Sequence, residues 1–189
     1  MSTLAQENCQ AQSNHNAANT AHDGQHDFDF LFGNWTVHSR RLLHPLSGSE
    51  EWVEVDGTAV DKRIWGGRAQ LEEFEAEGPS GHVEGMTVRI YNPNSHQWSL
   101  YWASQSDGKF SIPATVGQFT NGRGEFLDSE DYKGRNILVR YTWISSADSP
   151  QWEQAFSVNG GKTWETNWVW KLSRNGDAQA TKLNGGKKP

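Results

Sequence analysis

The chain is short of cysteine, of positive charge and of long apolar runs, and each shortage excludes a class of protein. Cys9 is the single cysteine among 189 residues, so an intramolecular disulfide or a multi-cysteine metal site cannot form. The formal net charge is -6 and no basic cluster is present, although phosphate recognition needs grouped Lys and Arg. No stretch approaches the ~20 apolar residues of a transmembrane helix. We therefore expect no nucleic-acid partner and no membrane partner.

Several common catalytic motifs are also absent. The sequence contains no Gly-x-Gly-x-x-Gly, no P-loop, no His-Glu-x-x-His and no Gly-x-Ser-x-Gly. Dinucleotide binding, zinc-protease chemistry and nucleophile-elbow hydrolysis therefore lack support. We expect neither a bound cofactor nor a metal centre.

The two ends of the chain differ in composition from the middle. Residues 1–25 are rich in Gln, Asn, Ala, Ser and His and have no apolar segment, which predicts a disordered tail and no signal peptide. A cytoplasmic location follows as the default expectation. Residues 26–175 are expected to form one domain, and residues 176–189 a flexible C-terminal tail.

Beyond Gly33 the chain alternates β-type runs with short turn sequences, which is typical of an all-β sandwich or barrel. Turns such as Asn92-Pro93-Asn94 and Asn159-Gly160-Gly161 separate the runs. No connection is long enough to hold a crossover helix, so sequential strands are expected to pair antiparallel. The pattern predicts nine strands, at residues 35–43, 51–62, 69–77, 83–91, 97–104, 115–127, 136–144, 151–158 and 163–172.

Closing these strands into a ring would remove the exposed sheet edges. The fold predicted is therefore an antiparallel up-and-down β-barrel of about eight to ten strands. Four apolar side chains within the five residues 28–32 predict a short N-terminal helical segment that plugs one end of it.

Large aromatic residues are abundant, with ten Trp, eight Phe and four Tyr, which predicts an aromatic rather than an aliphatic interior. Residues i and i+2 of a strand share a face, so the more apolar face of each strand is expected to point inward. A mostly apolar cavity with a few polar groups is typical of a small-molecule site. The candidate ligand-binding residues are Arg41, Glu73, Trp102, Tyr141, Trp143, Gln154 and Trp168.

Which side chains point into the barrel depends on the strand register, because a one-residue slip exchanges the two faces of a strand. Arg41 would need a carboxylate partner if buried, and Glu73 is a candidate. In the strand predicted at residues 83–91, the apolar set Met86, Val88 and Ile90 is expected inside, which leaves Arg89 outside. In the alternative reading the polar groups inside the barrel satisfy each other in a filled core.

Gly33-Asn34-Trp35, which follows the predicted helical segment, resembles the start of the first strand in lipocalin-like (calycin) barrels. In those folds the Trp closes one end of the barrel and packs against an Arg that follows the last strand. Arg174 stands at that position. The resemblance implies a cation–π contact between Trp35 and Arg174 that closes the barrel.

A wider pattern is similar to a bacterial family of uncharacterised proteins, DUF1579. The similarity covers residues 27–174 and rests on four segments of sequence. That family is assigned to the calycin-like barrels, so the resemblance implies the fold and carries no reaction. The segments are Asp27 to Trp35 with Arg40 to Leu42, Gly85 to Arg89, Trp152 to Ser157 and Thr163 to Trp168.

Three functions fit these observations. The first is a barrel that binds a small hydrophobic or amphipathic metabolite in its aromatic interior. The second is an isomerase- or cyclase-type enzyme that uses Glu73, Arg41 or Tyr141 for acid–base chemistry in the same cavity. The third is an interaction protein whose tryptophans form a homodimer interface.

Overall fold

The computed structural model describes residues 22–78 and 81–174, and this part of the chain forms one closed antiparallel barrel. Each strand pairs with its neighbours in sequence, and the first strand closes the ring by pairing with the last. The predicted all-β, up-and-down barrel is confirmed. The ten strands are β1 (Gly33–Leu42), β2 (Trp52–Ile64), β3 (Ala69–Gly78), β4 (Gly81–Asn92), β5 (Gln97–Ser104), β6 (Thr115–Thr120), β7 (Arg123–Tyr132), β8 (Arg135–Ile144), β9 (Gln151–Ser157) and β10 (Glu165–Arg174).

The strand predicted at residues 115–127 is two strands, β6 and β7. Asn121 and Gly122, with φ values of 51° and 77°, form the turn between them. An Asn-Gly pair with positive φ at both residues is a preferred hairpin turn, because its twist matches that of the flanking strands. Residues 128–132, which lie outside the predicted strands, consequently belong to β7.

A short 3₁₀ segment, Asp29–Leu31, lies inside one end of the barrel. Phe28 and Leu31 are fully buried there. The ring of Phe28 packs edge-on against Trp98 and Phe119, with centroid distances of 5.1 and 4.9 Å. Such edge-to-face pairs contribute about 0.5–1.5 kcal/mol beyond their buried area. Aromatic packing therefore holds the segment in the barrel end.

Indole N–H groups of the barrel satisfy carbonyl groups of this entering segment. Trp35 Nε1 donates to the carbonyl of Leu31 at 2.6 Å, and Trp98 Nε1 donates to that of Gly24 at 2.9 Å. A buried carbonyl without a donor would be costly, so these bonds let a non-strand backbone enter the core. The chain preceding the first strand is thereby tied to the barrel wall.

The closed end is completed by Arg174, which is opposite Trp35 in the pairing of β10 with β1 and lies over its indole ring. Arg174 Nη1 also donates to the carbonyl of Phe32 at 2.8 Å. Gly33 allows this approach, because a Cβ atom there would stand 2.9 Å from Arg174 Nη1 and the residue has a φ of 117°. The two residues that the lipocalin-like pattern singled out are in contact.

On β4 the predicted facing is wrong. Arg89 is 1% exposed and Thr87 is buried, whereas Met86 is exposed. The apolar side of β4 therefore does not face the interior. A guanidinium can be buried here because neighbouring strands supply carboxylate partners, and burial without them would cost several kcal/mol.

A β-bulge in β10 changes the facing of its side chains. Thr166 and Trp168 are opposite consecutive residues of β9, which leaves Asn167 as the extra residue. Asn167 is buried, and its Oδ1 accepts a hydrogen bond from Gln154 Nε2 at 2.9 Å. Alternation along the strand predicts that Thr166 faces inward together with Trp168, and this prediction is wrong for Thr166, because Asn167 takes that place; Trp168 does face the interior.

Most tryptophans of the chain surround the interior of the barrel. Seven are buried or line an interior cavity: Trp35, Trp98, Trp102, Trp143, Trp152, Trp168 and Trp170. The guanidinium groups of Arg40 and Arg140 lie over Trp52 and Trp164, and Trp65 is exposed. The predicted aromatic interior is present.

The predicted tails at residues 1–25 and 176–189 lie outside the described residues, except for residues 22–25. No helical segment in the described part of the chain has the length and apolar character needed to cross a bilayer.

Candidate functional site

The barrel interior holds two adjacent cavities that share Gln154 and Trp168 as lining residues. The first, which we call the tryptophan chamber, has a volume of about 350 Å³. The second, the aliphatic lobe, has a volume of about 330 Å³ and is lined by side chains such as Leu42, Val53 and Val55. Each volume falls near the lower end of the range for small-molecule sites. The tryptophans of the chamber are Trp102, Trp143, Trp152, Trp168 and Trp170.

Aromatic contacts fix the wall of the tryptophan chamber. The rings of Tyr141 and Trp152 are stacked, with 5.9 Å between centroids and 17° between planes. Trp168 meets Trp152 edge-on at 5.4 Å. These side chains come from the adjacent strands β8, β9 and β10, so cross-strand pairing brings them together.

A buried ion cluster lies at the inner side of the chamber. Arg89 Nη1 donates to Asp61 Oδ1 at 2.8 Å, and Arg89 Nη2 donates to Glu72 Oε2. Thr87 Oγ1 donates to Glu72 Oε1 at 3.0 Å. The three charged side chains are at most 2% exposed and come from the adjacent strands β2, β3 and β4. The cluster binds one guanidinium with two carboxyl groups.

The two carboxyl groups of this cluster cannot both ionise easily. Burial raises the pKa of Asp61 to about 8, the charge of Glu72 raises it too, and Arg89 opposes both effects. Asp61 Oδ2 is buried and has no hydrogen-bond partner among the described residues. The balance of these effects favours the protonated form of Asp61, which leaves Glu72 as the counterion of Arg89.

Two further carboxylates, Asp128 and Glu130, face the tryptophan chamber from β7. Thr115 Oγ1 donates to Asp128 Oδ2 at 2.9 Å, and Tyr141 Oη donates to Glu130 Oε1 at 2.9 Å. Both donors are neutral hydroxyl groups. Burial raises the pKa of Tyr141, and the negative charge of Glu130 raises it further, so the phenol keeps its proton.

Among the described residues, neither Asp128 nor Glu130 forms an ion pair with Lys, Arg or His. Their charges are therefore offset only by neutral donors, which are the two hydroxyl groups and the backbone N–H of Ser129, which donates to Asp128 Oδ1 at 2.7 Å. In a cavity walled by apolar rings, the low dielectric makes these charges stronger than they would be in water. The chamber is acidic on the β7 side.

A buried donor also remains unpaired in the chamber wall. Trp170 is 4% exposed, and its Nε1 has no hydrogen-bond partner among the described residues. A buried N–H group without an acceptor costs about 1–3 kcal/mol.

The structure brings five of the seven predicted ligand-binding residues together. They line the tryptophan chamber, and their ligand-binding role remains a prediction. These residues are Trp102, Tyr141, Trp143, Gln154 and Trp168.

Arg41 and Glu73 do not join this group. Arg41 lines the aliphatic lobe, and its guanidinium carbon lies 4.6 Å from the centroid of the Trp168 ring. Glu73 lies outside the barrel, where it pairs with Lys62 and its side chain is 56% exposed. The suggested Arg41–Glu73 pair is wrong, because Glu72 rather than Glu73 faces inward on β3.

Four charged residues of the site were missed by the sequence analysis: Glu72, Arg89, Asp128 and Glu130. Arg89 was assigned to the outer face, since a mid-strand Arg between apolar residues most often faces solvent. The two carboxylates on β7 could have been found from the Asn121-Gly122 turn, because alternation beyond it places both of them on the face of buried Phe126.

Another group of charged side chains lies outside the barrel. Glu75, His82 and Glu84 each offer a ligand atom within 4.8 Å of the others, and all three are exposed. Hydrogen bonds to Glu77 and Glu84 raise the pKa of His82. Because the neighbouring carboxylates favour protonation of this imidazole and protonation competes with metal binding, surface ion pairing is the simpler explanation of the cluster.

Comparison with known proteins gives one partial similarity. No family model matches the chain. A stretch of 126 residues, 62% of the chain, is 29% identical to a protein from Oryza sativa subsp. japonica described as probable linoleate 9S-lipoxygenase 4. That stretch spans only 14% of the rice protein, so the chain corresponds to a small part of it. Membership of the DUF1579 family remains a prediction.

Proposed function

We propose that the protein binds a small, partly aromatic or amphipathic molecule in the tryptophan chamber. The observation that carries the proposal is the chamber itself, an interior space of about 350 Å³ whose wall contains five tryptophans and a few polar groups. A barrel filled only to stabilise itself would close such a space, since protein interiors are close-packed.

Two details of the wall support a ligand. The rings of Tyr141, Trp152 and Trp168 present stacking and edge-on surfaces suited to a flat molecule. Polar side chains of the lining, among them Ser111 and Gln154, can form hydrogen bonds with it. Apolar area supplies affinity in such a site, and a few polar groups supply orientation.

The proposal can be tested with the fluorescent probe N-phenyl-1-naphthylamine, which emits strongly only in apolar surroundings. Leu100 lines the chamber, and Ser99 lies on the opposite face of β5. Leu100→Trp fills the chamber, whereas Ser99→Trp adds the same ring outside the barrel. We expect saturable fluorescence with the wild-type protein and with Ser99→Trp, and at least about tenfold weaker binding with Leu100→Trp.

Two results would contradict ligand binding in the chamber. One is the absence of any saturable signal with the wild-type protein. The other is equal affinity of the two tryptophan variants, which would place the probe elsewhere on the surface. Circular dichroism on both variants establishes that the barrel has formed.

An isomerase- or cyclase-type enzyme is the alternative. The hydrogen-bonded pair of Tyr141 and Glu130 is the arrangement that could serve acid–base chemistry there. Because the pKa of Tyr141 is raised, the phenol could act only as a proton donor at neutral pH. We therefore propose binding ahead of catalysis.

Other parts of the sequence-based prediction stay predictions. A homodimer has less support, since seven of the ten tryptophans face the interior rather than an outer surface. The lipocalin-like assignment and the cytoplasmic location are likewise proposals that rest on the sequence pattern.

A further inference from the structure

The charged side chains that line the tryptophan chamber carry more negative than positive charge. Its lining includes three carboxylates, Glu72, Asp128 and Glu130, and one cation, Arg89. Arg89 is neutralised within the buried cluster, because Nη1 and Nη2 each donate to a carboxyl group. The uncompensated charge of the chamber is therefore negative and comes from β7.

Asp128 and Glu130 lie two residues apart on one strand, so their Cα atoms are about 7 Å apart along it and both side chains face the chamber. Each accepts a hydrogen bond from a hydroxyl group, Thr115 for Asp128 and Tyr141 for Glu130. These bonds orient the carboxylates without cancelling their charge. A cation held between them would gain two charge-assisted contacts.

The aromatic wall favours the same charge. Tyr141, which binds Glu130, is stacked on Trp152, so an acidic group and an aromatic surface lie side by side. The face of an aromatic ring attracts cations, most strongly in the case of Trp. Arg41 shows that this wall accepts a cation, since its guanidinium already lies over Trp168 on the side of the aliphatic lobe.

From this juxtaposition we infer that the tryptophan chamber is selective for an organic cation, a protonated amine attached to an aromatic or apolar body, with Asp128 and Glu130 binding the ammonium group. The inference rests on the proposed function and specifies the class of ligand. The hydroxyl groups of Thr115 and Tyr141 position the two carboxylates. An anionic ligand of the same shape is repelled.

Three probes that share one aromatic body separate charge from shape. They are 2-phenylethylammonium, its neutral analogue 2-phenylethanol and the anion phenylacetate. Isothermal titration of the full chain at pH 7 and low salt gives the affinity of each. We expect the ammonium probe to bind at least about tenfold more tightly than the alcohol, since charge-assisted contacts are roughly twice as strong as neutral ones, and phenylacetate to bind most weakly.

Isosteric variants test whether Asp128 and Glu130 cause the preference for the ammonium probe. The double variant Asp128→Asn, Glu130→Gln keeps the shape of the site and one acceptor oxygen in each side chain, and it removes the charge. It should lose the preference for the ammonium probe while it retains the affinity for 2-phenylethanol. The control is Glu125→Gln, which removes a carboxylate from the exposed face of the same strand and should leave all three affinities unchanged.

The outcomes distinguish the inference from the proposed function. If the alcohol binds as tightly as the ammonium probe, or if the double variant keeps the preference, the charge selectivity is wrong and ligand binding stands. If none of the three probes binds, both are overturned. A misfolded variant is recognised because it loses the alcohol as well.

Discussion

The guanidinium carbon of Arg174 lies 3.7 Å from the centroid of the Trp35 indole ring, at the closed end of the barrel. Arg174 Nη2 also donates to the carbonyls of Phe30 and Ala147 at 3.3 and 3.2 Å. One side chain thus contacts β1, the 3₁₀ segment that plugs the barrel and the connection between β8 and β9. Sealing of the barrel end depends on this contact.

We predict that Arg174→Ala lowers the free energy of unfolding by about 2–4 kcal/mol, from the lost cation–π contact and the carbonyls left without a donor. Arg174→Lys should recover part of that loss, because an ammonium group retains the charge but cannot reach three carbonyls at once. Urea denaturation followed by circular dichroism measures both values.

A matched surface variant controls this experiment. Lys171→Ala removes a cation from an exposed position of the same strand, and it should change the free energy of unfolding by less than about 0.5 kcal/mol. Equal effects of Arg174→Ala and Lys171→Ala would show that the contact does not seal the barrel.

Trp102 and Gly85 are in close contact inside the barrel. A Cβ atom at Gly85 would stand 2.1 Å from the Trp102 ring, so the indole occupies the space that any other residue would fill. We predict that Gly85→Ala costs about 1–3 kcal/mol of stability, as overpacked sites do, and displaces Trp102 from the chamber wall. Thermal unfolding and tryptophan fluorescence measure the two effects.

A second substitution tests whether the clash with the Trp102 ring causes the loss of stability in Gly85→Ala. Combined with Trp102→Leu, the substitution Gly85→Ala should cost much less than it does alone, because the smaller side chain vacates the space. Additive losses in the double variant would instead place the damage in the backbone of β4.

The features of the fold that sequence reasoning predicted are those with local causes. Alternation along β5 placed Trp98 and Trp102 on one face, and both are inside the barrel. The helical segment followed from the apolar run that begins at Phe28. Such patterns need no knowledge of partners distant in the chain.

The sequence-based predictions are wrong where a partner distant in the chain, or an inserted residue, determines which way a side chain points. Arg89 faces inward because Asp61 on β2 and Glu72 on β3 form ion pairs with it. Hydrophobicity along β4 alone indicates that Arg89 faces outward. Asn167 is buried because a bulge inserts it as an extra residue, whose side chain accepts a hydrogen bond from Gln154. Neither fact can be derived from the periodicity of the strand that carries the residue.

His82 provides a test of the surface electrostatics. Its pKa is raised first by a hydrogen bond to Glu77 and then by one to Glu84. We predict that the NMR titration midpoint of the His82 ring lies above that of a free imidazole and falls in Glu77→Gln. The exposed Glu50→Gln should leave it unchanged. An unaltered midpoint in Glu77→Gln would show that Glu77 is not its partner in solution.

The Arg89 cluster links stability to pH. The pKa of Asp61 is raised to about 8, whereas a carboxyl of an unfolded chain titrates near about 3.9. Between these values the folded protein holds a proton that the unfolded chain releases. The contribution of Asp61 to the free energy of unfolding therefore falls as pH rises from about 4 to about 8, by up to about 1.4 kcal/mol per pH unit.

Asp61→Asn keeps the shape of the group and removes its titration. The free energy of unfolding of the variant, relative to that of the wild type, should therefore become steadily more favourable as pH rises through this window. Urea denaturation at several pH values measures the difference. Asp148→Asn, the same change at an exposed position, should give a difference that does not vary with pH. If the Asp61→Asn difference is also flat, or grows as pH falls, Asp61 is ionised in the folded barrel and its pairing with Arg89 outweighs its burial.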